Sequence, residues 1–487
     1  MLTRSVNVDM LFNSAPFIFI FFPIVLSGFL LFGWLRCYQL AITWTLLCSL
    51  VFYGWSAPFR LVPIIVASAA FNFCIGRALL RNRSRGLLAF GIVGNLATLG
   101  YFKYAVFFLQ TVSALTSSPA PQFNISLPIG ISFYTLTQIA FLIDTYRRQA
   151  REYEPLKYGL FVTYFPHLIA GPILHHGEIM PQFDDPQTYR PRLTSLAYGL
   201  SYFTVGLFKK VMIADTIAAY VEAPFRSASV GTPIGFADAW IGVLSYSFQI
   251  YFDFSGYSDM AIGLALMMGI TFPLNFNSPY KASSLIEFWR RWHMTLSRFL
   301  RDDLYIPLGG NRKGRLRRQV NILITMLLGG IWHGAGMNFA LWGAIHGIGL
   351  VLNHLWRDVS AKPGIVLPRA LAKLATLLLV VFAWVPFRAD TPPAALAIWK
   401  SMIGLEGFGR PAVSNIYEVM VGIAALAAIA LLAPNTQEIL AFQGYEPRAS
   451  GLRWRPNTVW AVALGCLFGI AVAGTLTKPT AFLYFRF

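Results

Sequence analysis

Long runs of apolar residues recur along almost the whole chain, and short polar segments separate them. Most runs have about 17 to 25 residues, the length that an α-helix needs to cross the hydrocarbon core of a bilayer. Because that core offers no water to open backbone groups, helices are the expected structure. We predict an all-α, polytopic membrane protein with about 10 to 13 membrane-embedded helices. The runs cover residues 15–35, 38–57, 61–80, 87–110, 127–144, 156–175, 195–220, 236–270, 320–355, 370–388, 415–434 and 457–476.

Two segments have patterns unlike simple spans. Segment 283–310 is amphipathic at helical spacing, with His293 on its apolar face and arginines largely on the other side. Ser284, followed three positions later by Glu287, is typical of a capping box at a helix start. We therefore predict one interfacial or half-buried helix there. The Pro, Gly, Ser and Thr content of segment 127–144 predicts a broken or tightly packed helix.

Composition supports the membrane assignment. Of the 487 residues, 56% are hydrophobic and only 12% are charged, whereas soluble proteins carry about twice that charged fraction. The first run, 15–35, is longer than a signal-peptide core and lacks a cleavage pattern, so we expect it to be retained as a span. The cysteines lack metal-ligand or disulfide spacing and are predicted to be buried small hydrophobes. They are Cys37, Cys48, Cys74 and Cys466.

The net charge of +18 is concentrated in short loops between apolar runs, at 81–86, 147–157 and 309–319. This distribution is typical of cytoplasmic loops and argues against a nucleic-acid partner, which would require a basic stripe on a soluble domain. Between Lys281 and Arg318 ten basic residues accompany three acidic ones, so we place that region on the cytoplasmic side. Anionic lipid headgroups account for much of this charge.

Ionisable groups within apolar runs are the candidates for chemistry, because burying one at mid-bilayer costs roughly 2.5 kcal/mol or more. Lys209 lies near the end of a run, so we expect it to reach the interface and discount it. The remaining candidates are His293, His333, His346, Asp253, Asp259 and Asp144.

His333 stands out because glycines flank it on both sides, leaving room for a substrate to approach closely. A neutral histidine in a small polar cavity is a suitable general base, although a histidine hydrogen-bonded between packed helices fits the same pattern. His346 follows Trp342 by four positions and is expected to be structural. Trp289 lies one helical turn before His293, and its ring either lines a hydrophobic tunnel or anchors the helix at the interface.

The aspartates of segment 251–263 have several possible roles. Asp253 and Asp259 are expected to hydrogen-bond between helices or to set the polarity of a cavity. No G-x-S-x-G elbow is present to support a serine hydrolase. No H-x-x-x-H or H-E-x-x-H pair supports a metal site, so none is predicted.

Six segments in a fixed order carry a resemblance to a known family. They are "LPIGISFYTLTQIAFLIDTYR", "FPHLIAGPI", "FDFSGYSDMAIGLALMMGI", "EFWRRWHMTLSRFLRDDLYIPLGGNRKG", "LLGGIWHGAGMNFALWGAIHG" and the terminal "FLYFRF". Together they resemble the membrane-bound O-acyltransferases, and within them the bacterial branch that O-acetylates alginate, with relatives acting on peptidoglycan, cellulose or teichoic acid. With no internal repeat or soluble insertion in view, the resemblance implies one polytopic domain over 1–487, with a motif-bearing core at about 127–355.

The resemblance assigns roles to the candidates by their motifs. His333, in the W-H-G block, would be catalytic, and His293, in W-R-R-W-H, would be a second catalytic histidine near a central tunnel. The remaining candidates would line the path of the substrate; they are Asp253, Asp259, Trp289, Trp332 and His346.

The resemblance also implies a direction of transfer. An acyl group, expected to be acetyl, would pass from cytoplasmic acetyl-CoA or an acyl carrier protein thioester across the inner membrane, with no bound cofactor. The final acceptor would be an extracytoplasmic polysaccharide, reached through a periplasmic acetyltransferase partner. Three cations would attract the donor's phosphates: Arg312, Lys313 and Arg315. The alternatives are a transporter or flippase and a structural subunit of a polysaccharide export complex.

Overall fold

Helices make up most of the computed structural model, which describes residues 10–117, 125–152, 154–360, 367–409, 411–413, 415–441, 452–477 and 482–483. No strand occurs in these ranges, so the all-α prediction is confirmed. Among the described residues, six helical stretches are long and apolar enough to cross a membrane, which makes this a multi-pass membrane protein. They are Phe17–Trp34, Phe59–Arg81, Arg85–Thr116, Met337–Ser360, Arg369–Arg388 and Thr458–Thr477.

The described α-helices are numbered in chain order. They are α1 (Phe22–Trp34), α2 (Tyr38–Ser56), α3 (Val62–Arg81), α4 (Arg85–Thr116), α5 (Ile131–Tyr146), α6 (Pro155–Thr163), α7 (Phe165–Leu168), α8 (His176–Asp184), α9 (Leu193–Phe208), α10 (Asp215–Ile217), α11 (Glu222–Ser229), α12 (Phe236–Met267), α13 (Leu285–Trp289), α14 (Met294–Phe299), α15 (Gly314–His333), α16 (Met337–Ser360), α17 (Arg369–Arg388), α18 (Pro392–Met402), α19 (Ile416–Leu431), α20 (Thr436–Leu440) and α21 (Thr458–Thr477). Three π-helical segments adjoin α1, α9 and α14; they are Phe17–Phe21, Lys209–Ala214 and Leu300–Tyr305.

Most apolar runs correspond to one helix, and the longest are divided. Run 320–355 contains α15 and α16, joined by a short turn. Run 156–175 is divided into α6 and α7, and Pro166, in the first turn of α7, has no backbone N–H to donate. For segment 127–144 the sequence predicted either a broken helix or a tightly packed one. Helix α5 is continuous and buried along nearly its whole length, so the tightly packed alternative is correct.

Backbone contacts divide the chain into two units. The described residues of unit 1 fall within 1–211, 256–274 and 454–486, and those of unit 2 within 212–255 and 275–453. In unit 1, α3, α4 and α5 are joined by buried amides. Asn95 Nδ2 donates to Asn72 Oδ1 at 2.6 Å, and Asn72 Nδ2 donates to Gln138 Oε1 at 3.0 Å. This network satisfies polar groups that would otherwise be costly in an apolar interior.

Unit 2 is built around a hairpin of α15 and α16, whose backbones are in contact. A Cβ atom on Gly330 would meet the carbonyl oxygen of Phe339, and one on Gly343 would meet that of Met326. Small residues permit such an approach, as they do in many membrane helix pairs. Arg318 and Asp358 form an ion pair of 2.8 Å between the other ends of the two helices.

The prediction of one amphipathic helix over 283–310 is wrong. Its start is confirmed, because Ser284 Oγ accepts a hydrogen bond from the Glu287 backbone N–H at 3.1 Å. The chain leaves α13 after Trp289 and begins α14 only after His293, whose φ of 43° is left-handed. The Met294 N–H donates to the carbonyl oxygen of Asn275 at 2.9 Å, so a tertiary hydrogen bond replaces a helical one at the break.

The four cysteines are free thiols. The expectation that all are buried is wrong. Only Cys48 is buried, whereas the others are exposed; they are Cys37, Cys74 and Cys466. Cys74 and Cys466 lie on stretches long enough to span a membrane, where an exposed position can face lipid and a thiol is apolar enough to be accepted.

Candidate active site

His333 is the last residue of α15, and the turn that follows fixes its position. Gly334 is extended, with φ −167° and ψ 159°, and a Cβ there would meet the ring of Phe339. The next helix begins at Met337, and Asn338 Nδ2 donates to the carbonyl oxygens of Pro386 at 3.1 Å and Ala389 at 2.7 Å. The glycines therefore end the helix at the histidine, and the Asn338 side chain holds the turn against the end of α17.

The imidazole of His333 is surrounded by aromatic rings and is only 5% exposed. Ring centroids lie at 4.9 Å for Trp332, 5.0 Å for Trp342 and 5.1 Å for Phe387. Such surroundings exclude most water and strengthen polar interactions with anything bound beside the ring.

The ring of Trp342 contacts both His333 and His346, which lies on the opposite helix α16. His346 is fully buried, with its ring centroid 4.8 Å from Trp342 and 5.2 Å from Trp289. The structure thus brings together four of the predicted site residues, His333, His346, Trp289 and Trp332. With their neighbours they form what we call the aromatic cluster: Phe288, Trp289, Trp332, His333, Trp342, His346, Trp384 and Phe387.

Sequence reasoning missed four residues of the aromatic cluster as site residues: Phe288, Trp342, Trp384 and Phe387. Trp342 could have been found, because it precedes His346 by one helical turn and so shares its face. Trp384 and Phe387 come from α17, and no local pattern indicated that this helix lies beside the hairpin.

His293 lies outside the aromatic cluster. It is fully buried, its Nδ1 is 3.1 Å from Asn275 Oδ1, and its ring meets Phe254 edge-on at 4.7 Å. The segment is not one of the six spanning stretches, and burial lowers the pKa of His293 to about 3, so the ring is neutral at physiological pH. A chain of ring contacts leads from Phe254 to Trp384 and includes Phe276 and Trp292.

The candidate aspartates lie in different places. Asp253 is buried on the part of α12 that belongs to unit 2. Asp259 belongs to unit 1 and accepts a hydrogen bond from Lys209 Nζ at 2.6 Å. The expectation that Lys209 extends to the interface is therefore wrong, because its ammonium group neutralises a buried carboxylate. Asp144, also in unit 1, pairs with His175 Nδ1 at 2.8 Å.

The predicted donor cations precede and begin α15. Arg312, Lys313 and Arg315 are exposed. Since α15 has 20 residues, its two ends are about 30 Å apart. The cations and His333 therefore lie at opposite ends of one helix. Among the described residues, no group of three His, Cys, Asp or Glu side chains could hold a metal ion.

Comparisons with known proteins bear on this arrangement. The sequence profile described as "MBOAT, membrane-bound O-acyltransferase family" matches residues 78–388, a range that contains the whole aromatic cluster. The chain is 42% identical over 429 residues to "Peptidoglycan O-acetyltransferase" of Helicobacter pylori, covering 82% of this chain and 80% of that protein. It is 41% identical over 437 residues to "Probable alginate O-acetylase AlgI" of Pseudomonas aeruginosa, covering 87% and 81%. A more distant relative, "Teichoic acid D-alanyltransferase" of Streptococcus thermophilus, is 29% identical over 236 residues, covering 47% and 57%.

Proposed function

This chain belongs to the membrane-bound O-acyltransferase family and is an acyltransferase, and on that premise we propose that it passes an acetyl group from a cytoplasmic thioester across the bacterial inner membrane. The observation that carries the proposal is the position of His333. The histidine ends a helix at a glycine turn and is surrounded by aromatic rings. In this position it can transfer a proton while bulk water is excluded.

His333 acts as the general base in this proposal. Its imidazole takes the proton of an incoming hydroxyl, and the hydroxyl oxygen attacks the thioester carbonyl. The intermediate then expels the thiolate, which receives the proton back from the imidazolium. The carbonyl ends at the C-terminus of α15 give that site a partial negative charge, which favours the imidazolium formed on the way.

The two ends of α15 suggest the kind of donor. The exposed cations Arg312, Lys313 and Arg315 attract phosphates, while the base lies about 30 Å further along the helix. A donor bound at the basic end has to extend an acyl group away from its phosphates. Acetyl-CoA and a carrier protein with a phosphopantetheine arm both have this form.

The acceptor is proposed from the relatives' names and from the fold. Two relatives are named for O-acetylation of peptidoglycan or alginate, so we expect an extracytoplasmic polysaccharide to be the final acceptor. No domain of soluble composition interrupts the apolar runs, and a periplasmic acetyltransferase partner would complete the transfer. His293, neutral and fully buried, is proposed as the second histidine of the path.

The direct test is transfer of labelled acetyl from acetyl-CoA by the full chain in proteoliposomes, together with its acceptor fraction. We expect His333→Gln to lower the rate about 10²- to 10⁴-fold, the usual contribution of general acid–base catalysis. His354→Gln is the matched control, because His354 lies on α16 outside the aromatic cluster and should retain the wild-type rate. Full transfer by a folded His333→Gln protein would overturn the proposal, as would movement of a lipid-linked sugar by the wild type without thioester cleavage.

A further inference from the structure

Within the aromatic cluster, Trp289, Trp342 and His346 together contain four buried polar atoms that have no hydrogen-bond partner among the described residues. They are Nδ1 and Nε2 of His346, Nε1 of Trp342 and Nε1 of Trp289. His346 is fully buried, Trp342 is 1% exposed and Trp289 is 8% exposed. An unsatisfied buried polar atom costs about 1–3 kcal/mol, and native structures rarely contain several of them at one place.

Three other tryptophans of unit 2 do have partners for their indole N–H groups. Trp384 Nε1 donates to the Tyr280 hydroxyl at 3.2 Å, and Trp240 Nε1 donates to the carbonyl oxygen of Met402 at 2.9 Å. Trp399 Nε1 donates to the carbonyl oxygen of Phe382 at 3.1 Å. The indole N–H groups of Trp342 and Trp289, whose rings lie 4.8 Å and 5.2 Å from that of His346, have no such partner, and Trp342 also contacts His333.

The chemistry of these atoms indicates what they would bind. Two indoles contribute one N–H donor each, and a neutral imidazole contributes one donor and one acceptor. Three donors against one acceptor complement an oxygen that carries or develops negative charge. The surrounding rings, including Phe288 and Trp384, provide an apolar wall that suits a short hydrocarbon group rather than a sugar or a phosphate.

We propose that Trp342, Trp289 and His346 form a subsite that binds the carbonyl oxygen of a short-chain acyl thioester beside His333. This inference rests on the proposed function, to which it adds the group that stabilises the intermediate. When the acceptor oxygen attacks the carbonyl carbon, the π electrons move onto the carbonyl oxygen and the three N–H groups stabilise that charge. When the C=O bond re-forms, the C–S bond breaks and the thiolate leaves with the proton held by His333.

The experiment removes single N–H groups while keeping aromatic rings. We expect Trp342→Phe to lower kcat about 10²-fold with little change in KM, as loss of one oxyanion donor does elsewhere, and Trp289→Phe to act in the same direction. Trp240→Phe, which removes a bonded indole N–H of unit 2, is the control and should keep the wild-type kcat. His346→Gln keeps a donor and an acceptor and should retain more activity than His346→Leu.

A second readout does not depend on turnover. The probe is the ketone analogue of acetyl-CoA in which a methylene replaces the sulfur, labelled with ¹³C at the carbonyl. Hydrogen bonding in the subsite should lower its infrared C=O stretching frequency in the wild type and in His333→Gln, and Trp342→Phe should reverse the shift. An unshifted band in the wild type, or wild-type kcat in both tryptophan variants, would overturn the subsite. Full activity of His333→Gln together with an unchanged frequency shift would overturn the role of His333 as general base but would not contradict the subsite.

Discussion

Glu287 shows how a single carboxylate stabilises the segment that leads to His293. Its Oε2 accepts hydrogen bonds from the Ser283 N–H at 2.8 Å and hydroxyl at 2.7 Å. Its Oε1 accepts from Arg291 Nε at 3.0 Å and lies 2.7 Å from Arg291 Nη2. These contacts span the start of α13 and the break that follows it.

The same contacts make a pH-dependent contribution to stability. Burial alone would raise the pKa of Glu287, but the bonds from Ser283 and Arg291 outweigh it and lower the pKa below its usual value. A carboxylate with a lowered pKa stabilises the fold above its unfolded pKa of about 4.3, and this stability is lost as pH falls through the folded pKa.

We therefore expect Glu287→Gln to destabilise the protein by about 1 kcal/mol at pH 7, because the side chain is partly exposed. The difference from wild type should shrink below about pH 4. Thermal unfolding in detergent at the two pH values measures this, with Glu418→Gln at an exposed helix start as the control. A difference that is unchanged at low pH would contradict the assignment to the ionised carboxylate.

At the residue scale, sequence indicated the aromatic cluster only in part. His333 and His346 could be located because ionisable groups in apolar runs are rare and costly. The backbone of His293 could not be predicted, because its left-handed conformation depends on Asn275, 18 positions away. The pairing of Lys209 with Asp259, 50 positions apart, could not be predicted either.

At the scale of elements, the position of His333 depends on the close approach of α15 and α16. Gly330 lies one turn before the histidine, and a Cβ there would meet the Phe339 carbonyl oxygen and the backbone of Gly343. Backbone cannot move aside as a flexible side chain can, so the two helices would have to separate.

We expect Gly330→Ala to destabilise the protein by about 1–3 kcal/mol, the usual cost of overpacking. Acetyl transfer should fall further than the loss of folded protein explains, because the shift moves His333. The control is Gly422→Ala on α19, where a Cβ meets nothing within 4 Å, and the gain in helix propensity there makes a neutral or slightly stabilising effect the expectation. Equal thermal stability and rate in Gly330→Ala and wild type would contradict this account.

Hydropathy predicted most elements well, because a run of apolar residues in a bilayer has almost no alternative to a helix. The hydropathy prediction failed at 283–310, because the apolar residues there keep helical spacing across a point at which the helix is broken. Periodicity indicates which face of a helix is apolar, whereas the break depends on two hydrogen bonds to Asn275: the Met294 N–H donates to its carbonyl oxygen and the Thr295 N–H to its Oδ1. Where the end of a helix depends on such tertiary hydrogen bonds, the pattern of apolar and polar positions cannot predict it.

At the scale of the whole molecule, the excess of positive charge has a measurable consequence. The triple variant of Arg312, Lys313 and Arg315 to Gln should raise the KM for acetyl-CoA on the order of tenfold and leave kcat unchanged. Wild-type KM should rise with salt, and the variant should lose most of that dependence. The control is the triple variant of Arg226, Lys373 and Lys400 to Gln, which loses the same net charge elsewhere on the protein. An equal KM for acetyl-CoA in the two triple variants would contradict a local phosphate site.

The way unit 1 is assembled from distant parts of the chain affects its biosynthesis. Helix α21 packs on α9, and the rings of Tyr198 and Trp454 lie 4.5 Å apart. Roughly 250 residues are translated between the end of α9 and the start of α21, which takes on the order of ten seconds or more at ordinary rates of synthesis. During that interval the face of α9 that α21 later covers must be sheltered by lipid or by the insertion machinery. Ribosome stalling or premature release within this stretch would therefore leave a half-assembled unit with an open helix face, a natural substrate for membrane quality-control proteases.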